Sequence, residues 1–126
     1  MFIGNVADLS PTKVFKTAAS IAGGCFTAVS LGENGVSAAN ASVSPVGILA
    51  AETEAPIAAG DDVNVVISGG CRWTAAESIK AGDMLASDDD GKAVKAASGK
   101  IIFAQALSTA IPDEAAEVLI VRGGKA

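Results

Sequence analysis

The strongest constraint on the fold is that one stretch of this chain is written twice. Val46-Gly47-Ile48-Leu49-Ala50, Pro56 and Val63-Asn64-Val65-Val66-Ile67-Ser68-Gly69-Gly70 are echoed by Ile102-Phe103-Ala104-Gln105-Ala106, Pro112 and Val118-Leu119-Ile120-Val121-Arg122-Gly123-Gly124. The offset is 56 residues for the first strand and the proline, and 54 for the paired glycines. Each copy reads as an apolar strand, a Pro-bearing acidic loop and a second apolar strand stopped by Gly-Gly, which predicts two related hairpins closing one core. A shorter echo sets Ile57-Ala58-Ala59-Gly60-Asp61-Asp62-Val63 beside Ile79-Lys80-Ala81-Gly82-Asp83-Met84-Leu85. In each, an apolar residue buries, Gly takes a strained turn position, Asp bonds nearby amides and the next apolar residue opens a strand.

Composition points to the same class. Val (12) and Ile (10) far outnumber Leu (6), and stiff β-branched side chains suit pleated strands better than helices. Alanine supplies 26 of the apolar residues, which implies thin layers and close backbone approach. Strand-like segments fall at 14–19, 25–31, 43–50, 63–68, 71–74, 84–87, 93–96, 101–107 and 118–122, separated mostly by Gly, Pro and Asp clusters. Glu33-Asn34-Gly35 is a hairpin signal, because Asn-Gly readily supplies two turn positions with positive φ. The expected fold is all-β: a single small barrel-like or sandwich-like domain over 14–126, with at most one short helix near 74–80, behind an extended N-terminal arm over 1–13. At 126 residues there is room for one core.

Several function classes lose ground at once. The net charge is −5, so a cationic nucleic-acid or anionic-membrane binder is not expected, and no apolar run approaches 18 residues. With no histidine, a His-dependent triad and imidazole-ligated zinc or haem are impossible. Five aromatic residues and no tyrosine leave little stacking surface for single-stranded nucleic acid or sugars. Cys25 and Cys71 lie 46 residues apart, matching neither a redox CxxC pair nor a zinc knuckle, and read as buried free thiols of a protein made in a reducing compartment. Ile21-Ala22-Gly23-Gly24-Cys25 is faintly like a lipoprotein cleavage site, but Asp8, Pro11, Thr17 and Ser20 break the apolar segment such a signal requires.

The remaining candidates for chemistry are weak. Asp88-Asp89-Asp90-Gly91 has the raw material of a calcium loop without its alternating spacing, so it reads as a solvated Asp-Gly hairpin turn. Lys92 follows that turn as the modified lysine does in lipoyl or biotinyl carriers, but Gly91 stands where the lipoyl pattern has Asp. Ser68, Ser78 and Lys80 are the only actors available to a Ser-Lys hydrolase, and no strained elbow surrounds them. No catalytic residue, cofactor or metal is expected, and the enzyme and carrier readings stay as alternatives. From Glu52 to Asp90 there are nine acids and two bases, a distribution of solvated loops that can also form an acidic rim for a basic protein partner.

The segment from Val43 to Arg122 resembles the decoration, or cement, proteins of tailed-phage capsids. The resemblance is carried by Val46-Gly47-Ile48, by the two Ala-Gly-Asp segments, by Asp90-Gly91-Lys92-Ala93, by the strand at 101–107 and by Glu117-Val118-Leu119-Ile120-Val121, in that order. It implies a β-rich structural virion protein, commonly a homotrimer, that sits on the outer surface of the head, bridges neighbouring major capsid proteins and stabilises the expanded shell. Contact residues are then the function. The candidates are Phe2 and Ile3, the largest apolar groups of the arm, and Trp73, which like Phe103 reads as either a core or a subunit-contact residue.

Overall fold

The computed structural model describes residues 11–50 and 57–125. Among these residues there are ten strands: β1 (Thr12–Lys16), β2 (Ala28–Gly32), β3 (Gly35–Ala38), β4 (Gly47–Leu49), β5 (Asp62–Val66), β6 (Gly70–Thr74), β7 (Met84–Ser87), β8 (Ala93–Lys95), β9 (Ile101–Ala106) and β10 (Ala115–Lys125). They form two five-stranded antiparallel sheets stacked in a sandwich-like arrangement, with no helix among the described residues. The all-β expectation holds. The allowance of at most one short helix near 74–80 goes unused: β6 runs on to Thr74, and Ala75 and Ile79 make isolated bridges.

The duplication reaches much further than two hairpins. The sheet orders are β1-β5-β4-β2-β3 and β6-β10-β9-β7-β8, so adding five to every label of the first gives the second. Each sheet curls until its two edge strands meet at one parallel bridge, Thr17 with Val36 and Ala75 with Ala93. The Ala18 and Ala76 amides complete the match by donating to Val36 O and Ala93 O, both at 2.8 Å. An antiparallel bridge then ties the loops of each unit, Ile21 with Ile57 and Ile79 with Ala110. Three residues after each of these four bridge positions the backbone turns through positive φ, at Gly24 (69°), Gly60 (89°), Gly82 (95°) and Asp113 (68°). The Ala-Gly-Asp echo is two of these four turns. In both, the aspartate caps the turn, Asp61 accepting from the Ala58 amide at 3.1 Å and Asp83 from the Lys80 amide at 2.9 Å. The fourth turn uses Asp113, a residue type that tolerates the left-handed region better than most.

The core is correspondingly double. Ile21, Val29, Val36, Leu49, Ile57, Val63 and Val65 pack inside the first unit, with Phe15 against them. The second cluster gathers Trp73, Phe103, Leu85, Ile79 and Val118 among small neighbours, and takes in Ala28, Ala39 and Ile48 from the first unit. Consecutive residues of β4 therefore serve different clusters: Leu49 enters its own unit's core and Ile48 faces the second unit.

The Glu33-Asn34 hairpin forms, but not with the two positive-φ positions its Asn-Gly suggested. Gly32 pairs with Gly35, and of the Asn-Gly pair only Gly35 has positive φ, at 127°. A side chain at Gly35 would collide with the Lys16 carbonyl, so this glycine is required by the neighbouring strand β1. The Asp-rich hairpin also departs from expectation. Its Asp89 and Asp90 are exposed, but the tip glycine, Gly91, is buried against the first unit. The Gly91 carbonyl accepts from the Ala28 amide at 2.8 Å and from Trp73 Nε1 at 2.9 Å.

Gly91 and Gly60 separate two reasons for a glycine. Both have positive φ (78° and 89°), but a Cβ at Gly91 would lie 2.6 Å from Ala28 O, while at Gly60 it would meet nothing within 4 Å. Gly60→Ala should cost about 1 kcal/mol from backbone conformation alone. Gly91→Ala should cost at least about 3 kcal/mol, because the contact between units must open as well. Denaturant unfolding of the two variants measures the difference, and equal losses would mean that the Gly91 junction is slack.

Candidate functional site

The junction between the two units is where the chain concentrates its polar organisation. Asp88 Oδ1 accepts from the amides of Asp90 and Lys92, each at 2.8 Å, which folds the acidic tip back on itself. Asp89 Oδ1 then reaches the Ala41 amide of the first unit at 3.1 Å. On the far side, Arg122 sits in a bulge of β10 with φ of 47° and donates to the carbonyls of Pro45, Val46 and Ile67 at 3.1, 2.8 and 2.8 Å. Its guanidinium lies 5.2 Å from the centre of the Phe103 ring. A planar, permanently charged fork suits this place, because one side chain satisfies three carbonyls of one unit while stacking on an aromatic of the other.

The residues singled out for chemistry are not brought together. Ser78 and Lys80 flank the bridge residue Ile79, and Ser68 lies in the link between units; all three are exposed. Lys92 Nζ is tied to Asp113 Oδ1 at 3.1 Å, on the side of the hairpin that faces the fourth turn. A groove of about 380 Å³ at the junction is lined by Ala22, Gly23, Ala38, Asp89, Asp90 and Lys92. It holds two carboxylates and one ammonium. Among the described residues no group of three His, Cys, Asp or Glu side chains is placed to hold a metal ion.

Trp73 does not lie where a contact residue must. It is wholly buried, edge-on to Phe103 with ring centroids 5.6 Å apart and planes at 87°, and its indole N–H is spent on Gly91. Its role is to join β6 to the β7–β8 hairpin from inside the core. Phe2 and Ile3 lie outside the described residues. The surface that sequence reading missed is apolar: Met84, Leu107, Ile111 and Leu119 are exposed in the second unit, and Val14, Leu31 and Val43 in the first. The alternation along β10, with Ala116 and Val118 buried and Glu117 and Leu119 exposed, is the signal that marks Leu119 as outward.

These features define a class of architecture, an all-β chain built from two tandem five-stranded units locked by a shared junction. No protein-family profile matches the chain, and no curated protein sequence does. Among solved structures it is similar to the crystal structure of the head fiber gp8.5 N base of bacteriophage phi29, with a TM-score of 0.64 over 94% of this chain and 98% of that one. At 22% identity the likeness is one of fold.

Cys25 and Cys71 are free and partly buried. Burial pushes the Cys71 thiol from its ordinary 9.0 up to about 12, so it stays protonated in the fold where the unfolded chain would already be ionised. A neutral thiol in both states contributes no pH dependence below 9. Above it the unfolded state loses the proton first, so the Cys71 contribution to stability falls as pH rises from about 9 towards about 12. Unfolding curves of the protein and of Cys71→Ala across this range should converge in slope at pH 8 and diverge at pH 10. Parallel curves throughout would show that Cys71 is not shielded from water.

Proposed function

We propose that this chain is a structural protein of a tailed-phage virion that decorates the outer surface of the head, bridges major capsid proteins and acts through contacts rather than catalysis. The observation that carries the reading is the fold shared along nearly the whole length of both chains with the head fiber base of bacteriophage phi29. The ordered Ala-Gly-Asp, Asp-Gly-Lys and terminal-strand motifs support it from the sequence side. A subunit that binds only the expanded shell stabilises it by mass action and by bridging, and needs neither cofactor nor metal. In this reading the partners are the major capsid protein and further copies of the chain, as a homotrimer, with no nucleic acid or membrane. That the neighbour is the base of a head fiber favours a second reading, in which the chain is a head-bound foot for a longer appendage.

Co-sedimentation of the purified chain with undecorated expanded heads tests the proposal. Saturable occupancy is expected, and none would end it. Decorated heads that withstand heating better than bare ones would favour cement over a foot. Deletion of residues 2–10, which carry the candidate anchors Phe2 and Ile3, should weaken attachment while leaving the melting temperature nearly unchanged. Equal occupancy by the truncated chain would move the capsid-binding surface onto the β domain.

A further inference from the structure

The two units are alike in topology but unlike in what covers them. In the first sheet Ala28, Ile48 and Val66 stand side by side across β2, β4 and β5. In the second, Met84, Gln105 and Leu119 occupy the same register across β7, β9 and β10. The correspondence extends to the flanking loops: the Ala39 amide bonds Ala28 O, and the Ala96 amide bonds Met84 O. In the first row Ala28 and Ile48 pack into the second unit's cluster at 0% exposure and Val66 is 8% exposed, whereas Met84 and Leu119 stand 43% and 40% exposed.

The covering element has its own bare equivalent. The first row is covered in part by the β7–β8 hairpin, whose Gly91 carbonyl receives the Ala28 amide and whose Asp89 receives the Ala41 amide. Its counterpart in the first unit is the β2–β3 hairpin, with Glu33 and Asn34 at an exposed tip. Beside the tips, Ser87 and Leu31 hold the same register position, and Ser87 is 4% exposed while Leu31 is 56% exposed. The packing of unit two on unit one is therefore head-to-tail, and it leaves one unused socket and one unused plug at opposite ends of the chain.

We infer that the Met84–Leu119 face of the second unit docks the β2–β3 hairpin of another copy of this chain, repeating between molecules the contact that joins the two units within one. Charge agrees with this occupant. The acidic tip residues Asp89 and Asp90 line the same groove as Ala38 inside the chain. The register equivalent of Ala38, which pairs with Val29 in β2, is Lys95, which pairs with Leu85 in β7, so the incoming tip acid Glu33 meets a lysine. A head-to-tail contact between identical chains closes into a ring when its rotation permits and otherwise propagates. This inference rests on the duplication and not on the capsid reading, so each can fail alone.

The test is sedimentation velocity over a concentration series, with no capsid present. The unaltered chain should associate, and Leu31→Asp and Leu119→Asp should each weaken association at least about tenfold while leaving the melting curve in place, since both side chains are exposed. Directed cross-linking keeps the result independent of those variants. Asn34→Cys and Ser98→Cys chains, the latter placed at the equivalent of Ala41, should form an oxidised dimer when mixed and none when oxidised separately, above the background of Cys25 and Cys71. A chain that stays monomeric throughout, unaltered association in both Asp variants, or cross-linking of either Cys variant with itself would overturn the inference.

Discussion

The Gly91 carbonyl accepts two hydrogen bonds from different parts of the molecule, the Trp73 indole within its own unit and the Ala28 amide of the other. Much of the remaining architecture is arranged so that this oxygen can reach both. The tip must be glycine, since its φ is positive and Ala28 O leaves no space for a side chain. The tip must also be stiff, and Asp88 makes it so by capping the amides of Asp90 and Lys92. Trp73 must be held rigidly, which Phe103 does from its edge and Arg122 does from beyond Phe103. Buried amides and carbonyls left unpaired at such a seam would each cost about 1–3 kcal/mol, so the seam closes as a set or not at all.

The second core shows how the duplication has drifted. Where the first unit has Thr17, Val36, Leu49, Ile57 and Val63, the second has Ala75, Ala93, Ala106, Ala110 and Ala116 at the corresponding bridge and register positions. Phe15 pairs with Val63 as Trp73 pairs with Ala116, so the larger ring sits where its surroundings have shrunk to alanine. The space left by these alanines is taken up by the Trp73 and Phe103 rings and by Ala28, Ala39 and Ile48 entering from the first unit, in keeping with close packing. Eight of the 26 alanines lie in the cluster that holds Trp73.

This drift sets what could be read from the chain. The β class, the turn chemistry of Asp61 and Asp83 and the pairing of β4 with β5 and of β9 with β10 were legible, because each depends on residues close in sequence or on a copied apolar run. The equivalence of β1–β3 with β6–β8 was not. It survives mainly as Ile21 with Ile79 and Gly24 with Gly82, too little to stand out from ordinary turns. The absence of a helix at 74–80 follows from the bridges of Ala75 and Ile79 to distant partners, which no local pattern announces. Trp73 read equally as a core or a contact residue, and the choice between the two is made by a hairpin eighteen residues away.

The candidate surface was hidden for a different reason. Val66 and Leu119 are both large apolar residues on second-position strands, and nothing in either side chain distinguishes a covered position from a bare one. What distinguishes them is polarity of assembly. Two like units joined through the same patch on each would bury both copies of that patch and leave nothing over. Two units joined plug-to-socket bury one copy of each and present the others at the ends, whatever the sequence of those ends. Selection can then make the terminal plug and socket weaker than the internal pair, as the polar Gln105 in place of Ile48 does, so that the chain folds alone and associates only when concentrated. A tandem duplication with this polarity carries a graded assembly surface in its topology, and the alternation of buried and exposed residues over the first half of β10 is its trace in the sequence.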